Sequence, residues 1–125
     1  MSDQKEYVSS NEEMGNIHIS EEVLAVIAAA AALDVSGVSG LANNPGGDIK
    51  ELLGKKGMPK GVRIQMEDER VTVDLAILMT YGSTIPDIGK AVQEGVRTSI
   101  ESMTGLEVAQ VNVNVGGILF PPQSK

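Results

Sequence analysis

The 125-residue sequence predicts an α+β fold, a two-layer sandwich in which two main helices pack on one face of a mostly antiparallel sheet of three to five strands. Two observations lead to this class. Short runs alternate apolar with polar residues, and two longer segments carry apolar residues at helical spacing. At this length we expect one domain over 15–118, preceded by a disordered acidic tail over 1–14 and followed by a flexible tail over 119–125.

Strands are predicted wherever apolar and polar side chains alternate with a period of two residues. The clearest run covers residues 71–80, and a shorter run at 62–67 comes before it. The charged tetrapeptide at 67–70 is short enough to close an antiparallel hairpin between them. The complete set of expected strands is 15–19, a short strand near 37–41, the hairpin 61–80 and 108–115.

One face of this sheet is expected to be polar. The valines of the final strand point inward, whereas Asn112 and Asn114 alternate with them and point outward. Asp74 lies on the corresponding face of the hairpin. We therefore expect these three side chains to face solvent or an interaction partner.

A helix is predicted over 84–104. Thr84 is a good N-cap, Pro86 lies in the first turn where its missing N–H costs nothing, and Gly105 ends the helix in the left-handed conformation. The apolar residues form one stripe that we expect to be buried: Ile85, Ile88, Val92, Val96, Ile100 and Met103. The opposite side carries two oppositely charged pairs four positions apart, Lys90 with Glu94 and Arg97 with Glu101.

An earlier helix is predicted over 20–34, capped by Ser20 and apolar on every side. Its uncharged stretch of eleven residues is too short to span a bilayer, which needs about 20. Such a helix must be covered on more than one side. Either it is wedged between the sheet and the other helix, or a second face near Leu24, Ala28 and Val35 meets another subunit.

The overall composition limits the classes of partner. The chain contains no cysteine, which excludes disulfides and zinc–thiolate sites and suits a reducing cytoplasm. Its net charge of −7 argues against general nucleic-acid binding and against direct strong binding to an anionic membrane. The acidic first residues do not resemble a signal peptide.

Half of the basic residues lie within fourteen positions of one Gly- and Pro-rich segment. A solvated connection explains this segment without any function. The alternative is a local anion-binding site, whose candidate residues are Lys50, Lys55, Lys56, Lys60 and Arg63.

The sequence Gly54-Lys55-Lys56-Gly57 gives this alternative a specific form. It resembles the Gly-x-x-Gly loop of K-homology domains, in which a basic loop clamps a nucleic-acid backbone. In that family the loop lies between two helices, whereas here residues 58–61 lead directly into a strand. A nucleic-acid-binding module is therefore the alternative function, and we do not favour it.

The sequence contains little that could support catalysis. His18 is the only histidine, and it lies between two isoleucines of a predicted edge strand, where it is expected to face outward. No P-loop, dinucleotide-binding fingerprint or nucleophile elbow occurs. The acidic clusters lie in a tail, a helix start and a turn, where carboxylates are solvated. We therefore predict no enzyme, no catalytic residue, no cofactor and no metal.

The last strand ends in Gly116-Gly117-Ile118-Leu119-Phe120, which includes the only phenylalanine. Apolar groups at such a position either fold back onto the domain or contact a neighbour. We hypothesise that this segment or the apolar helix mediates homo-oligomers, with Phe120 as an interface anchor.

Taken in order, the motifs resemble the alkaline shock protein family, small envelope-stress proteins that are widespread in Gram-positive bacteria. The resemblance covers residues 15 to about 118. Its motifs are Gly15-Asn16-Ile17-His18-Ile19-Ser20 with Val23 and Ile27, Gly37-Val38-Ser39-Gly40-Leu41, Gly61-Val62, Val71-Thr72-Val73-Asp74-Leu75, Tyr81-Gly82 with Ile85-Pro86, Gln93 with Val96, Met103-Thr104-Gly105-Leu106 and Val111-Asn112-Val113.

The resemblance implies a non-enzymatic cytoplasmic protein of the envelope stress response, peripheral to the inner face of the membrane. Members associate with that face often through a separate membrane-anchored protein partner, and some self-assemble. The family supplies no catalytic residues to transfer. The chain has shorter tails than the long members, so functions carried by extended termini are not expected here.

Overall fold

A computed structural model describes residues 7–12, 15–41, 44–45 and 61–120 of the chain. The elements follow the predicted order and confirm the α+β class. They are β1 (Tyr7–Glu12), β2 (Gly15–Ser20), α1 (Glu21–Leu33), β3 (Val38–Leu41), β4 (Asn44–Pro45), β5 (Val62–Glu67), β6 (Arg70–Thr80), α2 (Ile85–Thr104) and β7 (Glu107–Leu119).

The main sheet is built around β6. One edge of β6 pairs antiparallel with β5 over Arg70–Leu75 and then with β3 over Ile77–Met79, so these two strands lie end to end. The other edge pairs with β7 along its whole length. Because β6, α2 and β7 form a β–α–β unit, β7 is parallel to β6, and the sheet is mixed with mainly antiparallel pairing.

The hairpin between β5 and β6 forms as predicted. Glu67 and Arg70 are paired across the strands, which leaves a loop of two residues. Asp68 and Glu69 both have positive φ, of 54° and 68°. A two-residue loop with positive φ at both positions has the twist of a type I′ turn, which matches the right-handed twist of the strands.

The core lies between the helices and one face of the sheet. The alternating residues of β6 from Val71 to Ile77 are at most 1% exposed, and they pack with Leu24 of α1 and Val96 of α2 in the same cluster. Both helices therefore cover the valine-lined face, as predicted. This burial is the main source of stability for the fold.

Helix α2 follows its predicted stripe only in the middle. Val92, Val96 and Ile100 are fully buried, whereas Ile85 is 45% and Met103 is 70% exposed. The helix is longer than the part of the core that it covers, so its terminal apolar residues reach beyond the sheet. Gly105 ends it with φ of 79°, as the sequence predicts.

The N-terminal region corrects one expectation. Tyr7–Glu12, inside the segment that was predicted to be disordered, forms β1 and pairs antiparallel with β2 in a separate two-stranded sheet. Strand β2 was predicted as an edge strand, and it is one, but among the described strands it pairs with β1 and not with the main sheet. An acidic composition does not exclude a strand when a neighbouring segment supplies the hydrogen-bonding partner. The domain boundaries at 14 and 118 stay predictions.

Candidate interaction surfaces

The possible second face of α1 is largely buried. Leu24 and Ala28 are fully buried in the core, and Val35 is half-buried against it. Leu24 and Ala28 are therefore not exposed to another subunit, which agrees with the other explanation, a helix wedged between the sheet and α2. The alanine side chains allow this, because they let the backbones approach closely; Gly95 of α2 lies near the Ala31 carbonyl. An interaction role for Val35 stays a prediction.

The basic segment lies mostly outside the described residues. Lys50, Lys55, Lys56 and Lys60 fall there, as does the K-homology-like loop, so the anion site and the nucleic-acid alternative stay predictions. Arg63 is described: it is exposed on β5 and is the cross-strand partner of Asp74. This places one cation on the polar face of the sheet.

The three residues of the predicted polar face come together as expected. Asp74 and Asn112 are partners on β6 and β7, and the Asn112 amide donates a hydrogen bond of 2.8 Å to the Asp74 carboxylate. Asn114 donates to the Leu75 carbonyl at 3.3 Å. A shallow depression of about 410 Å³ lies beside them, bordered by Gly61 and Arg63. The sequence predicted the face but could not predict these pairings, which depend on the parallel register.

Polar side chains of α2 cover the outer edge of β7 along its first half. Gln93 donates to the Val111 carbonyl at 3.0 Å. Arg97 donates to the Val108 carbonyl at 3.3 Å, and the Glu101 carboxylate accepts from the Val108 N–H at 3.0 Å. The spacing of Arg97 and Glu101 predicted an ion pair on the helix surface. The structure instead directs both side chains to the backbone of one strand residue.

An apolar surface lies at the end of the sheet where β6 leads into α2 and β7 ends. Tyr81 and Phe120 stack with their ring centroids 4.5 Å apart and their planes inclined by 19°. The Tyr81 N–H also donates to the Leu119 carbonyl at 2.7 Å. Both rings remain exposed, Tyr81 by 59% and Phe120 by 72%. Ile85, Ile118 and Leu119 are exposed in the same region, and we call these five residues the aromatic end.

The described residues hold no group of three or more His, Asp or Glu side chains placed to bind a metal ion. His18 is exposed on β2, as the alternation predicted. Within the same described part of the chain, no helix is both long and apolar enough to cross a bilayer.

Comparison with known proteins gives consistent results. A model of the alkaline shock protein 23 family, described as having a cell envelope-related function, matches residues 9–120. The Bacillus subtilis protein YqhY is 33% identical over 112 residues, covering 90% of this chain and 83% of its own length. YloU of the same species is 35% identical over 106 residues, covering 83% of this chain and 88% of its own length. Spy1614 of Streptococcus pyogenes is 34% identical over 113 residues, covering 89% of this chain and 93% of its own length.

Among solved structures, the chain is similar to variants of the MamM CTD. The similarity has a TM-score of 0.48 at 14% identity and covers 77% of this chain and 93% of the MamM chain. It does not bear on function. The family match, in contrast, extends from within β1 to Phe120. It includes the whole main sheet, both helices and the aromatic end. The chain belongs to the alkaline shock protein 23 family, whose function is related to the cell envelope.

Proposed function

We propose that the protein is a non-enzymatic interaction module of the envelope stress response. It acts as a scaffold at the cytoplasmic face of the membrane, where a membrane-anchored protein partner holds it and copies of the chain associate with each other. The family's envelope-related function supports the location. The aromatic end is the observation that carries the interaction role.

The aromatic end has the composition of a binding surface. Exposed single apolar residues need no explanation, but here two aromatic rings stack while both remain exposed, and Ile85, Ile118 and Leu119 are exposed within four positions of them along the chain. Tyrosine and phenylalanine carry large contact areas with few rotatable bonds, so they contribute much to interfaces. The stacking of Tyr81 on Phe120 fixes both rings in advance, which lowers the entropy lost on binding.

Chemical crosslinking in cells, followed by affinity capture and mass spectrometry, tests this proposal. We expect the unmodified chain to capture a membrane protein, and Phe120→Ala to reduce that capture strongly. Met103→Ala is the matched control, because Met103 is exposed to 70% but lies at the opposite end of α2. Equal capture by both variants would contradict a role for the aromatic end. Capture of no membrane protein by the unmodified chain would contradict the proposed function itself.

A further inference from the structure

The side of α1 that faces away from the core is apolar from its first turn to its last residue. Every residue from Val23 to Leu33 is apolar, so no outward position in this range carries a polar side chain. Val23 is 47% exposed and Ala30 is exposed. The other outward positions at helical spacing are half-buried: Val26, Ile27 and Leu33. We call these five residues the α1 stripe.

Helix α2 shows what the solvent-facing side of a helix normally carries. Its exposed positions include Lys90, Glu94 and Thr98, whereas its apolar residues at 92, 96 and 100 are fully buried. On α1 this separation is missing, because both the buried and the exposed side are apolar. Isolated exposed apolar residues need no explanation, but a helix side without any polar residue over eleven positions indicates a surface that another chain covers.

Carboxylates bound the α1 stripe at both ends. Glu22 lies in the first turn of α1 and Asp34 is its C-cap, and both residues are exposed. Neither forms an ion pair with another residue that the structure describes. An acid in the first turn favours the helix, but an acid at the C-terminal end lies beside the negative end of the helix dipole and disfavours it. A cation on a partner would therefore be attracted both by Asp34 and by the end of the helix.

These charges discriminate between the possible occupants of the stripe. A second copy packed on α1 would bring Glu22 and Asp34 against the same two acids in either helix direction. An anionic bilayer would be repelled by them as well. A protein segment with apolar residues at helical spacing and a basic residue at each end is complementary to both the stripe and its acids.

We propose that the α1 stripe binds an amphipathic helical segment of another protein, with Lys or Arg residues that contact Glu22 and Asp34. These two acids are twelve positions apart, which is about 18 Å along the helix axis, so the basic residues of the partner need that separation. Ala30 in the middle of the stripe has a side chain small enough to let a partner helix approach closely. The inference goes beyond the proposed function, because it gives the chain a second surface that does not use the aromatic end.

Two synthetic peptides of identical composition test the proposal with the full chain. The first is a helical peptide with leucines at every third and fourth position and a pair of arginines at each end, about 18 Å apart. The second contains the same residues and the same ends, but its leucines are scrambled so that no stripe forms. By fluorescence anisotropy, we expect the unmodified chain to bind the first peptide about tenfold more tightly, because only that peptide buries its leucines together. Equal binding of the two peptides, or no binding of the first, would overturn the inference.

Substitutions locate the site. Asp34→Lys should weaken binding of the first peptide about fivefold and leave α1 folded, because a cation suits the C-terminal end of a helix. In two further peptides, glutamates replace the arginines at one end or at the other. One of these two should bind Asp34→Lys more tightly than it binds the unmodified chain. Ala30→Gln changes no charge and should weaken binding of the first peptide about fivefold, because the longer side chain prevents close approach.

Glu94→Lys and Phe120→Ala are the controls. Glu94→Lys makes the same change of charge on the β7 side of α2, and Phe120→Ala alters the aromatic end. Both should bind the first peptide as the unmodified chain does, and circular dichroism checks that every variant is folded. If Glu94→Lys weakened binding as much as Asp34→Lys, the attraction would be to an acidic protein in general, and the inference would be wrong.

The oligomeric state separates the remaining occupant. A dimer of the unmodified chain that Ala30→Gln dissociates in sedimentation velocity would make a second copy the occupant of the α1 stripe and would overturn the inference. Because the aromatic end is tested separately by Phe120→Ala, failure of the peptide to bind leaves the proposed function standing, and the two failures are distinguishable.

Discussion

The Glu101 carboxylate of α2 accepts a hydrogen bond of 3.0 Å from the N–H of Val108 in β7. The two are seven positions apart, and the tight connection through Gly105 lets the helix fold back along the strand that follows it. An edge strand normally exposes such an N–H to water or to another chain. Here the helix supplies the acceptor, so the first half of β7 is closed to further pairing.

This contact predicts the effect of Glu101→Ala. The substitution should lower the free energy of unfolding by about 1 kcal/mol, because a half-covered backbone donor loses its acceptor. Glu94→Ala is the control, because it removes the same charge from the same helix without removing the acceptor of the Val108 N–H. It should change the free energy of unfolding by no more than about 0.5 kcal/mol. Urea unfolding followed by circular dichroism measures both. Equal losses for the two variants would mean that the Val108 contact contributes nothing.

A second prediction concerns the buried stripe of α2. Val96 is fully buried between the helix and the sheet, so Val96→Asp places an unpaired charge in the core. We expect a loss of about 3 kcal/mol or more, enough to unfold much of the protein at room temperature. Thr98→Asp makes the same kind of change at an exposed position of α2 and should be tolerated. A folded Val96→Asp variant would show that the helix phase is wrong.

The sequence predicted those features that depend on neighbours along the chain. The β5–β6 hairpin, the N-terminal Ser20 cap and the Gly105 stop follow from local turn and cap chemistry, and the structure shows all three. The central residues of the α2 stripe follow from a single clear period.

Features set by distant partners could not be predicted. A helix that is apolar on every side does not indicate which face is inside, so the sequence left open whether Leu24 and Ala28 were core or interface, and both are buried in the core. The hydrogen bond from Asn112 to Asp74 depends on a parallel register across 38 positions. The stacking of Phe120 on Tyr81 likewise depends on β6 and β7 ending side by side, which the local sequence does not determine.

A third prediction concerns the two-residue turn. Glu69 has a φ of 68°, a conformation that costs a residue with a side chain about 1 kcal/mol and costs glycine nothing. Glu69→Gly creates the Asp-Gly pair that type I′ turns prefer. We expect it to raise the melting temperature, with a gain in stability of up to about 1 kcal/mol.

The neighbouring Glu67 provides the control for this turn. It lies in β5 with extended backbone, where glycine gains no relief and loses strand propensity. Glu67→Gly should therefore lower the melting temperature measured by differential scanning calorimetry. If both substitutions lowered it by similar amounts, the turn at 68–69 would not have the strain that its φ values imply.

The last prediction concerns contact with lipid. With a net charge of −7, the chain is repelled by an anionic bilayer, and none of the five residues of the aromatic end is one of the basic residues that hold peripheral proteins on such surfaces. We expect the purified protein not to float with vesicles of anionic lipid, at low or physiological salt. Vesicles of neutral lipid are the control. If the protein does not float with them either, it fails to insert for a reason other than charge repulsion. Tight flotation of the unmodified chain that disappears in Phe120→Ala would contradict the prediction. It would mean that the aromatic end is a lipid contact, with the exposed Phe120 ring buried in the bilayer rather than against a protein.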